Sequence, residues 1–198
     1  MINKTTITLL LVMLQLSVYA QQTYRLDLKK SKILWKAKTM GSHYGYILFK
    51  EGSLTYSPDD LPKEGTFSIN MNSMNSTDQA SANDNQRVNK ELRSADFFNV
   101  PKYPLSTMVV KQMVRIGNST HFKITGALTI KEMTNTIVFT ANIMKKEDSL
   151  NITAELKIDR IKWNINHQAD KPWNFFSTVK DKITSDEIQI SLDLVLNK

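Results

Sequence analysis

The chain offers few residues with which to do covalent chemistry. It has no cysteine, so a disulfide framework, a Cys-ligated zinc or iron–sulfur site, a thiol nucleophile and a lipidated N-terminal cysteine are all excluded. Its three histidines, His43, His121 and His167, are far apart in sequence and too few for a multi-histidine metal cluster. His43 lies between Gly41 and Gly45, where the backbone turns or approaches closely. That placement suits either a polar contact to a ligand head group or a hydrogen bond to a neighbouring strand. Catalysis by His43 would need a nucleophile and an orienting partner, and no Gly-x-Ser-x-Gly elbow occurs. Asp78 and Asp84 lack the spacing of a calcium loop. The remaining carboxylates form no recognisable pair for glycoside hydrolysis. No catalytic residue, metal or cofactor is therefore assigned, and the chain is expected not to be an enzyme.

Adjacent Asp159 and Arg160 would point to opposite faces of a strand. Arg160, beside an apolar run, is expected to seek a carboxylate, with Asp96 and Asp27 as candidates and a structural role for both residues of the pair. Larger side chains suggest a different chemistry, the burial of an apolar ligand. The candidates are His43, Phe49, Phe67, Phe97, Phe98, Phe139 and Trp163. Phe97 and Phe98 suit either the end or mouth of the fold or a plain core role, and Trp35, Trp163 and Trp173 suit a core or a binding role equally.

The elements that must position these residues are strands. Tyr24, Leu26 and Leu28 alternate with Arg25, Asp27 and Lys29, and Ile33, Trp35 and Ala37 with lysines, Leu34 being the exception. The same period runs through Phe67–Met71, Ile137–Ile143, Leu150–Ile158 and Ile188–Leu196. Period-two apolar faces separated by Gly, Pro, Asn and Asp turns predict an antiparallel sandwich or barrel. Between Thr77 and Asn99 the period changes: Ala80, Asp84, Val88, Leu92 and Ala95 recur every three or four residues, which predicts one or two helical turns before Pro101 and Pro104. In a closed barrel of about eight strands the interior is filled by side chains or holds one ligand, and periodicity alone favours the filled core.

Met1–Ala20 reads as a secretory signal: Lys4, an apolar run from Ile7 to Leu16, then Val18 and Ala20 at the cleavage positions. A run of about ten residues is half of a membrane span. The expected mature chain is residues 21–198, one domain beginning at Gln21, periplasmic or secreted, with no transmembrane span. The formal charge of +7, from 26 Lys+Arg against 19 Asp+Glu, loses only Lys4 on cleavage. The cations are dispersed and no recognition motif accompanies them, so they read as a solvated coat and not as a nucleic-acid surface. Weak attraction to an anionic membrane is compatible with them. The sequence leaves room for a homodimer.

Four ordered segments resemble the YceI-like family of exported bacterial proteins: Tyr24–Tyr56, with Asp27, Ser31, Trp35, Gly45 and Gly52; LRSADFFNVPKYP over Leu92–Pro104; ITGALTIKEMTNTIVF over Ile124–Phe139; and IDRIKWNI over Ile158–Ile165. Family members often carry His where this chain has Glu91, Gly where it has Glu132, and Gly where it has Asn164. The resemblance implies a lipocalin-like, eight-stranded antiparallel β-barrel with a short helical segment at one end. It also implies non-catalytic binding, transport or storage of a polyisoprenoid or related long-chain lipid in an apolar cavity. The alternatives carried forward are an exported enzyme acting on a small substrate and a partner-binding barrel with a filled core.

Overall fold

Nine antiparallel strands close on themselves around eight positions. They are β1 (Gln22–Leu26), β2 (Lys32–Lys38), β3 (Ser42–Tyr56), β4 (Pro62–Ser76), β5 (Leu105–Arg115), β6 (His121–Ile130), β7 (Met133–Lys146), β8 (Ser149–Asp159) and β9 (Glu187–Asn197). The computed structural model describes residues 21–38, 42–165 and 186–198. Met1–Ala20, the expected leader, and Gly41, His167 and Trp173 lie outside the described residues. No described helix is long and apolar enough to cross a membrane.

Successive strands from β2 to β9 pair as neighbours, and β9 returns to β2 through Trp35 opposite Ile190. β1 occupies the same position as β2, pairing with β3 through Tyr24 opposite Leu54 and with β9 through Leu26 opposite Leu196. The two are halves of one stave, interrupted by a turn. Asp27 Oδ1 accepts from the backbone N–H groups of Lys29 and Lys30 (3.0 and 3.2 Å), and buried Ser31 bonds both the N–H and the carbonyl of Val195. Asp27 is thus a turn residue, not the partner of Arg160. The alternation expected through Leu28 ends at Leu26, because Leu28 rides this turn and is exposed. β3 and β4, fifteen residues each, pair with register shifts at Tyr46/Leu48 and Phe49/Glu51, irregularities of the kind that let long strands bend.

The turns at 57–61, 116–120 and 147–148 lie at one end of the barrel, the turn end. The opposite end carries the helix α1 (Ala82–Arg93), the tight β6–β7 turn and a 3-10 turn over Arg160–Trp163. α1, at 12 residues just over three turns, is longer than the one or two turns expected within 77–99. Ser81 caps it by accepting from Asp84 N–H at 3.1 Å, Asp84 lies in its first turn, and Lys90 and Arg93 lie in its last, a charge order that suits the helix dipole. Its one fully buried residue is polar: Asn89 accepts from Ser76 N–H at 2.6 Å and donates to Asn75 Oδ1 at 2.7 Å, tying the helix to the end of β4.

Arg160 opens the 3-10 turn and does not continue β8. Its guanidinium meets Asp186 at 2.8 Å and the Ile165 carbonyl at 2.7 Å, so the partner is neither Asp96 nor Asp27. Asp159 caps the same turn by accepting from Ile161 N–H at 3.0 Å. Two positions where family members often carry Gly have positive φ here: Glu132 at 63° in the β6–β7 turn and Asn164 at 49° after the 3-10 turn. Asn tolerates the left-handed region better than Glu does.

Candidate functional site

Along β9 and β7 the inward-facing side chains are buried toward the turn end and only half-buried toward α1, whereas Ile130 of β6 and Ile158 of β8 stay buried at the helical end. β9 shows this best. Leu196 and Leu194 are buried at the turn end, whereas Leu192, Ile190 and Ile188, on the same face, are only half-buried as the strand runs toward α1. β7 repeats the gradient, with Ile143 and Ala141 buried and Phe139 and Ile137 half-buried. The side chains that are short of neighbours surround an elongated cavity of about 180 Å³. On β6 its lining runs from Ile124 to Ile130, roughly 20 Å of strand. Leu92 from α1 and Phe98 from the segment after it line the cavity as well, so the helical segment forms part of its wall.

The lining is aliphatic, aromatic and thioether with one exception, Ser106, the second residue of β5. Ser106 is 3 % exposed, and its hydroxyl has no hydrogen-bond partner among the described residues. Trp35 also lines the cavity at 8 % exposure, and its indole Nε1 likewise has no partner among them. The Trp35 ring packs over Gly45, its register neighbour. A Cβ there would collide with the Asn75 carbonyl oxygen and stand 2.9 Å from the ring, so the missing side chain is what seats the indole.

A polar collar stands beyond Gly45 at the helical end. His43 is on the same strand face, two residues on, and its Nδ1 lies 2.7 Å from Asp78 Oδ2. Asp78 also accepts from the Ser76 hydroxyl, the Gln79 amide and, at 3.4 Å, the Tyr44 N–H. Burial would raise the Asp78 carboxyl, but the bonds from Ser76, His43 and Tyr44, with the histidine's charge, outweigh it and hold the group below the usual carboxylate range. Nearby Glu91 behaves oppositely. Burial pushes it up and Asp96 adds to the rise, against the opposing pull of His43.

Of the seven residues singled out from the sequence, Phe49, Phe67, Phe98 and Phe139 line the cavity. His43 does not; it belongs to the collar. Phe97 and Trp163 do not either. They pack behind the cavity wall with Leu128, Ile130, Ile158 and Ile165, the first three of which line the cavity, and Trp163 Nε1 donates to the Leu128 carbonyl at 3.0 Å. Sequence reasoning missed Ser106, Leu92, Met74 and the partner of His43. Ser106 shares strand parity with Met108 and Val110, a signal that identifies it only once β5 is known to face the cavity. Asp78 lies 35 residues from His43, and no local spacing joins them.

A family model described as the YceI-like domain matches residues 24–196. Among solved structures, BcnA of Burkholderia cenocepacia superposes with a TM-score of 0.66 at 23 % identity, covering 86 % of this chain and 98 % of that one. A polyisoprenoid binding domain from Saccharophagus degradans, implicated in plant cell wall breakdown, gives 0.65 at 14 % identity over 88 % of this chain and 97 % of that one. The YCEI protein of Campylobacter jejuni gives 0.55 at 25 % identity over 76 % and 82 %. Comparison with curated proteins found no match.

Proposed function

The chain belongs to the YceI-like family, and from that premise we propose that it is a non-catalytic protein that holds a polyisoprenoid or related long-chain lipid inside the barrel. The observation that carries this reading is the burial gradient along β9: Ile188, Ile190 and Leu192 face inward yet stay half-buried, leaving an apolar channel where a filled core would have none. Each methylene placed there gains about 0.8 kcal/mol. A chain of ten carbons thus gains roughly 8 kcal/mol before the cost of ordering it is subtracted. Water competes poorly for such a space, because a buried water needs two to four polar partners. The likeness to a polyisoprenoid binding domain supports the same ligand class.

The protein works outside the cytoplasm after removal of Met1–Ala20, a reading that rests on the leader pattern. Sequencing of the exported protein should begin at Gln21; a retained Met1 would contradict it. The central test is extraction of the natively purified protein with organic solvent followed by mass spectrometry, with uptake of prenyl lipids as its complement. A bound long-chain lipid is expected. A protein that emerges empty and takes up no prenyl lipid would overturn the proposal.

A further inference from the structure

The outer surface of β2 and β3 carries an apolar patch that the cavity does not explain. Alternation sends Ile33, Trp35 and Ile47 to the cavity and the residues between them to the outside. In the register, Leu34 lies opposite Tyr46 and Lys36 opposite Tyr44, and Leu48 follows Tyr46 on the same face. Leu34, Tyr44 and Leu48 are 42, 48 and 38 % exposed, and Tyr46 between them is half-buried. Single exposed apolar side chains are ordinary on a protein surface, whereas four at neighbouring positions of two paired strands make a patch. Its flanks are cationic. β2 and β3 contribute Lys32, Lys36, Lys38 and Lys50 against one carboxylate, Glu51. Lys32, Lys36 and Lys50 are exposed and form no ion pair among the described residues. On the neighbouring β9, Asp193 stands in register with Lys32.

We propose that this face seats the barrel on an anionic lipid bilayer. Tyrosine rings suit the headgroup level, with an apolar body toward the acyl chains and a hydroxyl toward water. Leu34 and Leu48 enter beside them. The lysine stems lie along the apolar surface while their ammonium groups meet lipid phosphates. A second copy of this chain fits the patch poorly, because a two-fold contact here brings the four lysines up against the same lysines of the other copy. The same two strands line the cavity with Ile33, Trp35, Ile47 and Phe49, so docking holds that wall beside the membrane. The inference adds to the lipid-binding reading, since a long-chain lipid must be exchanged with a bilayer. It does not depend on that reading, because an empty barrel docks equally well.

The test uses the natively purified protein and vesicles of equal parts phosphatidylcholine and phosphatidylglycerol, with pure phosphatidylcholine as the control. Wild type should co-sediment more strongly with the anionic vesicles, and less so as salt rises. Lys32→Gln combined with Lys36→Gln should weaken that binding about twentyfold, at about fivefold per lysine. Leu34→Ser should weaken it about fivefold to tenfold. Val138→Ser, on β7 across the barrel and 55 % exposed, should leave it unchanged. All are surface substitutions, and melting temperatures should stay close to wild type. Because the chain has no cysteine, Leu34→Cys and Val138→Cys each allow one environment-sensitive dye to be attached. The dye at position 34 should shift to the blue with anionic vesicles, and the dye at position 138 should not. Vesicle binding that is absent, that survives the lysine substitutions, or that moves both dyes alike or neither would overturn the inference. So would a dimer that depends on Leu34 and forms without vesicle binding. None of these outcomes bears on the solvent extraction that tests for a bound lipid.

Discussion

The two ends of the barrel are built from the same alternating strands and reach opposite outcomes. At the turn end, Tyr24, Leu54, Tyr56, Leu150 and Leu196 are almost wholly buried. Tyr24 and Tyr56 meet edge to face at 5.4 Å, and Lys145, paired with Asp60, stands over both rings at 5.9 and 5.2 Å. At the helical end the inward side chains are spaced around a cavity, and the polar groups form a collar instead of a plug. Large aromatic and leucine side chains converging on one level exclude any ligand there. Phe49 and Phe67, whose rings meet at 6.1 Å, line the channel together with Phe98 and Phe139.

The largest expected effect comes from making one substitution at the turn end and at the middle of a single strand. Leu196→Ala should cost about 3–5 kcal/mol in denaturant unfolding, because it opens a void in a packed plug. Leu192→Ala, four residues away on the same face, should cost only about 1 kcal/mol, since that side chain already borders open space. Lipid affinity should show the reverse order. Equal costs would mean that the helical half is as filled as the turn half, and the contrast would collapse.

Alkaline titration probes the plug alone. Burial, with the Asp60 charge and Tyr24 behind it, pushes the Tyr56 phenol up to about 12, against the opposing charge of Arg115. Its folded value lies above the unfolded one near 10, so the native state holds this proton longer than the unfolded chain. Stability should therefore be level below about pH 10 and fall by about 2–3 kcal/mol between pH 10 and 12. Tyr56→Phe should remove that part of the decline; an unchanged profile would mean the phenol is not sealed.

The collar is tested through Asn89. Replacing it with Ala strands the Ser76 N–H and the Asn75 side chain, and should cost about 2 kcal/mol in thermal or denaturant unfolding. Loosening of α1 should also accelerate lipid exchange, whereas Leu196→Ala should leave the exchange rate unchanged. The smallest expected effect lies in the β6–β7 turn. Glu132→Gly relieves a left-handed glutamate and should raise stability by about 1 kcal/mol without changing lipid affinity. A loss of stability would show that the glutamate side chain offsets its own strain.

Much of the architecture could be read from residue order. The alternation in Ile188–Leu196 and in Leu150–Ile158 corresponds to the inward faces of β9 and β8, and the change of period after Thr77 marks α1. Boundaries failed where side chains make local backbone bonds. Asp27 turns the chain and exposes Leu28, and Asp159 caps a 3-10 turn that removes Arg160 from its strand. The site was less legible. Phe97 and Phe98 are adjacent and chemically identical and both touch the Trp163 cluster, yet only Phe98 reaches the cavity. Asn89 was hidden because a buried asparagine breaks the apolar period by which helix faces are recognised.

Residue order alone settled which side chains share a face along most strands, because alternation is a property of a single extended chain; which face turns inward was decided by closure of the barrel. The four matched segments likewise carry the family without reference to coordinates. What only the tertiary structure decided is how far those inward faces meet. Filling depends on the summed volume of side chains brought to one level by eight staves, and that sum depends on register and closure. The same dependence joins His43 to Asp78 across 35 residues and brings Leu92 and Phe98 of the helical segment to the wall built by the strands.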